Sequence, residues 1–378
     1  MIRKSNIILD KEKMFLMGFS IYLIQSFLRT TMFTEMVPSI LFNILRLLGI
    51  GLVLFKIIFD KYTIKKIAVI FITVIMFFFT LIESTYSILL EYAILIIGAK
   101  DVSFKKIINI YFKINMVLLL ITIISSKIGI IEDLVYYRAK NDRYRHSFGV
   151  VYPTDFAAHV FFLCLAYFYL KGKNIKWYQI LLVLLSAIFV YYYCDARLDA
   201  ICIILVVLMS LVYKFNLINF KNWFIKYGLI FSFLICEILS IYLTINYNPS
   251  NSFYAKINDL LSSRLRIGNM MYDEYGIKIF GQKIEDHGYG GSLTFEYDTY
   301  NYIDCSYLRI LLKYGLATSI ILTLFNLIIS KKMYKDQNYD ILLILLLISI
   351  NSIVAQHYID FSYNFLLLAY LARLEDKK

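Results

Sequence analysis

The chain consists mainly of apolar runs separated by short polar connections, and the length of these runs predicts membrane-spanning helices. A helix needs about 17–25 apolar residues to cross the hydrocarbon of a bilayer. Twelve runs qualify, some of them only with tilt or with end residues that reach the interface. They lie near residues 14–29, 38–59, 67–82, 86–99, 107–126, 153–170, 177–193, 199–213, 227–245, 305–330, 339–356 and 361–373. The pattern therefore predicts an all-α polytopic membrane protein with twelve transmembrane helices.

The positive charges divide unequally between the two sides of these spans. When lysines and arginines are assigned to alternating sides, 24 of the 39 fall on one side, 12 on the other and three within spans. Cytoplasmic connections of membrane proteins carry the excess of positive charge. The distribution predicts that both termini are cytoplasmic. It also predicts two larger extracytoplasmic loops, residues 127–152 and the long loop 246–303.

The composition predicts a single membrane-embedded unit, residues 1–378. Hydrophobic residues make up 60% of the chain and charged residues 17%, whereas a soluble globular domain has about 25% charged residues. The net charge of +12 arises from the lysine-rich cytoplasmic connections, so it does not indicate a nucleic-acid partner. None of the five cysteines forms a CxxC pair, which argues against a zinc site or a disulfide framework.

Arginine is concentrated on the side where positive charge is disfavoured. The first extracytoplasmic loop carries Arg138, Arg143, Arg145 and His146. One interpretation is a solvated charged loop. The other is a cationic surface for an anionic substrate, because a guanidinium group binds phosphate through two parallel hydrogen bonds. In the external turn CDARLDA, Arg197 stands between two aspartates, and ionisable residues near membrane depth form ion pairs or functional sites.

The long loop is rich in tyrosine and contains a stretch with helical periodicity. KINDLLSSRLRIGNMMYDEYG has apolar residues at helical spacing and includes Arg264 and Arg266. We expect a helix that lies against the membrane face. The chain returns into the membrane at YNYIDCSYLRILLKYG, where Asp304, Arg309 and Lys313 open an apolar run. An acid and two bases there indicate an ion pair or a polar cavity, and we favour the cavity.

Three stretches of the chain resemble Wzy-type polysaccharide polymerases, the bacterial membrane enzymes of the O-antigen and capsule pathways. They are RHSFGVVYPTDF, SSRLRIGNMMYDEYGIKIFGQKI and YIDCSYLRILLKYGLATSI. The spacing from Arg138 to Gly149 also fits an arginine, ten residues and glycine, a pattern of some members. Related O-antigen ligases often have a histidine just before the returning span. This chain has Asp304 there, which favours a polymerase over a ligase.

The resemblance implies glycosyl transfer on the outer face of the bacterial cytoplasmic membrane. Such polymerases join polyprenyl-pyrophosphate-linked oligosaccharide repeat units into capsule, O-antigen or exopolysaccharide. A chain-length regulator and a flippase are the protein partners it implies. The sequence contains no Asp-x-Asp pair to hold a metal, so we expect a metal-independent glycosyltransferase without a cofactor. The alternatives are a lipid-linked oligosaccharide flippase and an O-antigen ligase.

Two requirements of this chemistry select the candidate site residues. The departing pyrophosphate gains negative charge, which arginines stabilise well in a partly dry site. The acceptor hydroxyl must lose its proton to a base within hydrogen-bond reach. The candidate base is Asp304, with His146 and His287 as alternatives. The candidate substrate-binding residues are Arg138, Arg145, Arg197, Arg264, Arg266 and Arg309.

Overall fold

The computed structural model describes residues 10–138, 142–288, 290–291 and 300–374, and most of them are helical. The first half of the chain contains α1 Lys11–Leu28, α2 Ser39–Ile58, α3 Ile64–Ser84, α4 Ile88–Gly98, α5 Phe104–Lys127 and α6 Pro153–Lys171. The second half contains α7 Trp177–Cys194, α8 Arg197–Lys214, α9 Trp223–Ile230, α10 Ser232–Ile245, α11 Ser252–Leu260, α12 Arg264–Tyr275, α13 Ser306–Arg309, α14 Gly315–Lys335 and α15 Tyr339–Asn351.

Several of these helices have the length and composition of membrane spans. Among the described residues, six helical segments are long and apolar enough to cross a bilayer, and the pair α9 and α10, bent by 66°, makes a seventh if it counts as one span. Large apolar side chains such as Leu47, Ile72 and Leu182 are exposed on their outer faces. A water-soluble protein rarely exposes contiguous apolar surface on this scale. The chain is an all-α, multi-pass membrane protein.

The last predicted span, 361–373, is not an α-helix in the structure. It forms turns and a short 3₁₀-helix, Leu366–Tyr370, and nearly all of it is buried. Asn364 donates to the carbonyl of Tyr358 (2.8 Å) and accepts from the amide of Leu366 (3.0 Å). Irregular backbone at membrane depth requires such internal partners. The apolar composition of residues 361–373 therefore reflects burial inside the protein. The count of twelve spans and the cytoplasmic termini stay predictions.

The core lies where α6 and α15 pack among the other helices. Two-thirds of the residues in the apolar stretch of Pro153–Asn174 are buried. α6 contacts α5, α7, α8 and α15. Along α15, the residues from Asp340 to Leu345 are all buried. Because these helices carry apolar side chains on every face, they suit a position inside the bundle.

The two predicted extracytoplasmic loops contain ordered structure. In the first, β1 Val135–Arg138 and β2 Arg143–His146 form an antiparallel hairpin in which Tyr136 pairs with Arg145. In the second, α11 and α12 occupy the stretch predicted to be helical, separated by a break at Ser262 and Ser263, where φ is positive. The helical prediction is confirmed, and the position of these helices against a membrane face stays a prediction.

A tight crossing joins the long loop to the start of α14. Residues Ile310–Tyr314 form a π-helical turn, and the segment around Gly281 packs against it. The amide of Leu316 donates to the carbonyl of Lys278 (3.0 Å), and the amide of Gln282 donates to the carbonyl of Lys313 (3.2 Å). π-Helical turns occur often at functional sites. Here the turn separates Arg309 from α14.

Candidate functional site

Four of the predicted substrate-binding arginines line one small cavity, which we call the arginine pocket. The cavity has a volume of about 30 Å³ and lies between the β-hairpin, the start of α8 and the start of α12. Its charged lining residues are Arg138, Arg145, Arg197, Arg264, Asp195 and Asp199. Four guanidinium groups face two carboxylates, so the pocket carries excess positive charge. Such a site attracts an anion.

Asp195 holds three arginines beside the pocket. It ends α7 in a left-handed conformation (φ 43°), which aspartate tolerates better than most residues. Its carboxylate lies 2.7 Å from Arg138, 3.3 Å from Arg197 and 3.9 Å from Arg143. Burial alone would raise the pKa of Asp195, but the hydrogen bond and charge of Arg138, followed by those of Arg197, hold it below its ordinary value. Asp195 is therefore a counter-ion that positions these guanidinium groups.

Arg145 is buried without a carboxylate partner. Only 6% of the residue is exposed, and its Nε donates to the carbonyl of Cys194 (2.9 Å). Its guanidinium also lies over the ring of Tyr152, 5.4 Å from the centroid. Among the described residues no carboxylate lies within 4 Å of it. A buried charge is costly unless an opposite charge compensates it, so Arg145 is suited to pair with an anion that enters the pocket.

Arg264 connects the arginine pocket to Asp304. Its Nε lies 3.7 Å from a carboxylate oxygen of Asp304 and donates to the carbonyl of Val354 (2.6 Å). About a quarter of the Asp304 side chain (24%) remains exposed. The structure thus places the candidate base beside a candidate substrate-binding arginine, with part of its carboxylate accessible.

Tyr300 lies close to both of these residues. Burial is the main reason that the pKa of Tyr300 is raised; the charges of Asp304 and Tyr152 raise it further, and Arg264 lowers it. These interactions show that the residue before the returning helix shares the environment of Arg264 and Asp304. A tyrosine ring there offers an apolar face and a polar tip to a sugar.

Arg309 belongs to a second cluster and does not line the arginine pocket. It forms a two-pronged ion pair with Asp286, at 2.6 Å and 3.2 Å, and Lys313 lies 2.5 Å from the same carboxylate. Burial would raise the pKa of Asp286, but Arg309 and Lys313 hold it below its ordinary value. The rings of Tyr302 and Tyr86 cover the two cations, at 4.9 Å and 4.5 Å. We call this cluster the Asp286 tether, because it attaches the long loop to the returning helix.

The two candidate histidines lie outside the arginine pocket. His146 follows Arg145 on β2, and successive side chains of a strand point to opposite faces. Its Nδ1 lies 2.8 Å from Asp133. His287 forms a β-bridge with Asn301, with backbone hydrogen bonds of 2.8 Å and 2.9 Å. Neither residue lines the arginine pocket.

Arg266 also lies outside the arginine pocket, although it is only two residues from Arg264. It is exposed, and its guanidinium contacts the sulfur of Met270 (3.7 Å). Residues two apart on a helix do not face the same way. Arg264 and Arg266 therefore differ in environment while sharing charge, helix and side of the protein.

Two aspartates that the sequence did not single out as site residues lie at the same site. Asp199, in the first turn of α8, lines the pocket and accepts from Asn351 (3.3 Å). Asp155, in the first turn of α6, lies 3.5 Å from His357 and close enough to Asp199 and Asp304 for the three charges to interact. A carboxylate in the first turn of an apolar helix is the signal that could have identified both. Within the described part of the chain, no three histidine, cysteine, aspartate or glutamate side chains are arranged to hold a metal ion.

No family model matches the chain, and neither a curated protein nor a solved structure matches it significantly.

Proposed function

We propose that this chain is a bacterial cytoplasmic-membrane glycosyltransferase that polymerises polyprenyl-pyrophosphate-linked oligosaccharide repeat units on the outer face of the membrane. The proposal includes about twelve spans and cytoplasmic termini. The observation that carries it is the arginine pocket, in which Arg145 is buried without a carboxylate partner among the described residues. A membrane-bound diphosphate supplies the charge that this arrangement lacks. The resemblance to Wzy-type polymerases supports the same substrate.

The proposed reaction breaks the bond between the first sugar of the growing glycan and its diphosphate. The hydroxyl at the end of a new lipid-linked repeat unit attacks that sugar carbon, and polyprenyl pyrophosphate leaves with the bonding electron pair. Arg145, Arg197 and Arg264 stabilise the charge that develops on the leaving group, as preorganised donors do in a partly dry site. Asp304 takes the proton of the attacking hydroxyl.

The small volume of the arginine pocket limits which part of the substrate can enter it. A volume of about 30 Å³ admits one small polar group and excludes a sugar. The pocket therefore suits a phosphoryl oxygen of the leaving group, and the sugars lie outside it. The Arg197 side chain is 45% exposed, so it can reorient as the diphosphate enters.

The proposal predicts that Arg145→Gln, Arg264→Gln and Asp304→Asn each abolish polymerisation, whereas Arg266→Gln does not. Loss of one preorganised donor slows such reactions about 10²- to 10³-fold. Each variant is expressed in a strain that lacks the gene, with membrane levels matched by immunoblot, and glycan length is read on gels. We expect single repeat units from the first three variants and full-length polymer from Arg266→Gln.

The same strains distinguish the proposed reaction from its rivals. Single repeat units that reach the outer face indicate loss of a polymerase. Long unattached polymer would indicate a ligase, and repeat units trapped in the cytoplasm would indicate a flippase. Full-length polymer from both Arg145→Gln and Arg264→Gln would overturn the proposal.

A further inference from the structure

A large apolar cavity lies on the side of the bundle between α3, α4 and α14, and we call it the lysine groove. Its volume is about 360 Å³, within the range of ligand pockets. Thr73 on α3 and Leu322 on α14 line it, and so does the buried residue Leu367 of the irregular C-terminal segment. Only 17% of the residues in the apolar stretch of α3 are buried inside the protein. The groove therefore lies at the periphery of the bundle.

The lysine groove is about as deep as one leaflet of a membrane. Along α3 it extends from Lys66 to Phe77, and along α14 from Lys332 back to Leu322. At 1.5 Å per residue these distances are about 17 Å and about 15 Å. The hydrocarbon of a bilayer is about 30 Å thick. An acyl chain from one leaflet therefore matches the depth of the groove.

Lysines surround one end of the groove. Lys65, Lys66 and Lys332 line it and are exposed, and across the described ranges none of the three forms an ion pair. Lys100 also lines this end but is neutralised by Asp101. Asp101 also interacts with Lys66 at longer range, so one carboxylate stands against four lysines and this end of the groove keeps excess positive charge. A positive end next to a one-leaflet apolar groove matches a lipid that carries a negative headgroup above an acyl chain.

We propose that the lysine groove binds an anionic glycerophospholipid, with one acyl chain in the groove and its phosphate at Lys65, Lys66 and Lys332. The lysine end is opposite to the arginine pocket, because the helical segment Ser306–Lys335 begins beside Asp304, the ion-pair partner of Arg264, and ends beyond Lys332. A lipid whose phosphate lies at the lysines belongs to the leaflet on that side. The site is therefore distinct from the proposed position of the polyprenyl pyrophosphate and does not depend on glycosyl transfer.

The test compares lipid selectivity of the purified full-length protein in detergent. Phosphatidylglycerol and phosphatidylcholine with identical acyl chains are added, and bound lipid is counted by native mass spectrometry. The variant Lys65→Gln/Lys66→Gln/Lys332→Gln removes the groove charges. The control Lys61→Gln/Lys331→Gln/Lys335→Gln removes three exposed lysines of the same side that do not line the groove. Thr73→Trp obstructs the groove and leaves its charge unchanged.

We expect the wild type and the control triple variant to prefer phosphatidylglycerol by about 10- to 100-fold. The groove triple variant loses that preference, and Thr73→Trp loses the bound lipid. Three results would overturn the proposal: equal binding of both lipids by the wild type, an unchanged preference in the groove triple variant, or a polyprenyl phosphate as the lipid that co-purifies in the groove.

Discussion

Single charged residues from distant parts of the chain determine the charge balance of the arginine pocket. Arg138 and Asp195 are 57 positions apart, yet they form the 2.7 Å contact that organises one side of the pocket. Only 1% of the Asp195 side chain is exposed. A buried carboxylate between several guanidinium groups stabilises the ionised form of all of them.

This arrangement predicts that Asp195→Asn destabilises the protein by about 1–3 kcal/mol at neutral pH, because arginines are left without their counter-ion. The pKa of Asp195 is lowered in the folded state, so its contribution is fully present above the unfolded pKa of about 3.9 and is lost as the pH falls through the folded value. Thermal unfolding in detergent between pH 7 and pH 3 measures both effects.

The Asp142→Asn variant is the control, since Asp142 lies in the same hairpin and, among the described residues, its carboxylate accepts a side-chain hydrogen bond only from Tyr137 (2.9 Å). We expect its unfolding temperature to follow the wild type at every pH. If Asp195→Asn and the wild type were equally stable at pH 7, Asp195 would not hold the arginines as described.

At the scale of secondary-structure elements, the backbone of the long loop packs directly against the π-helical turn that precedes α14. The backbone at Gly281 approaches the π-helical turn so closely that an added Cβ would lie 2.2 Å from the carbonyl oxygen of Lys313. A Cβ added at Gly315 would likewise lie 2.2 Å from the amide nitrogen of Gly281. The Asp286 tether lies beside this crossing. Together these contacts attach the loop to the helix that begins beside Asp304.

We predict that Gly281→Ala strongly destabilises this crossing. Gly281 has a φ of +82°, and a non-glycine residue in such a conformation costs about 1–3 kcal/mol before any steric clash is counted. Hydrogen exchange of residues 278–288 should increase and the unfolding temperature should fall. Gly51→Ala is the matched control, because its Cβ would meet nothing within 4 Å. A Gly281→Ala protein as stable as Gly51→Ala would contradict the close approach.

At the scale of the whole molecule, the arginine pocket and a group of lysines lie at opposite ends of the helices. α8 begins at Arg197 in the arginine pocket and ends at Lys214, and α14 ends with Lys331, Lys332 and Lys335. Lysine-rich connections are retained in the cytoplasm. The bundle therefore has a polarity that assigns the arginine pocket to the outer face under the proposed topology.

This polarity predicts the accessibility of introduced cysteines in a variant whose five native cysteines are replaced. A membrane-impermeant maleimide should label Tyr144→Cys, at an exposed position of β2, in intact spheroplasts. It should label Lys331→Cys only after the membrane is permeabilised. The reverse pattern would place the arginine pocket in the cytoplasm and exclude an outer-face reaction.

Much of the helical framework could be predicted because each helix satisfies its backbone hydrogen bonds locally and must be apolar along its own length. The predicted runs 38–59, 107–126 and 177–193 correspond to α2, α5 and α7 within a few residues. The prediction was wrong for a helix at 361–373. An apolar run that is buried in protein has the same composition as one that faces lipid, so hydropathy does not distinguish them.

The sequence by itself determined which chemistry is available: arginines in the loops predicted to be extracytoplasmic and an aspartate before the returning helix. Only the tertiary structure decided which of these residues meet. It placed Arg138, Arg145, Arg197 and Arg264 around one pocket, separated Arg266, His146 and His287 from it, and tied Arg309 to Asp286. The physical reason is that hydrophobic periodicity is encoded locally, whereas ion pairs form between side chains that folding brings together from distant positions.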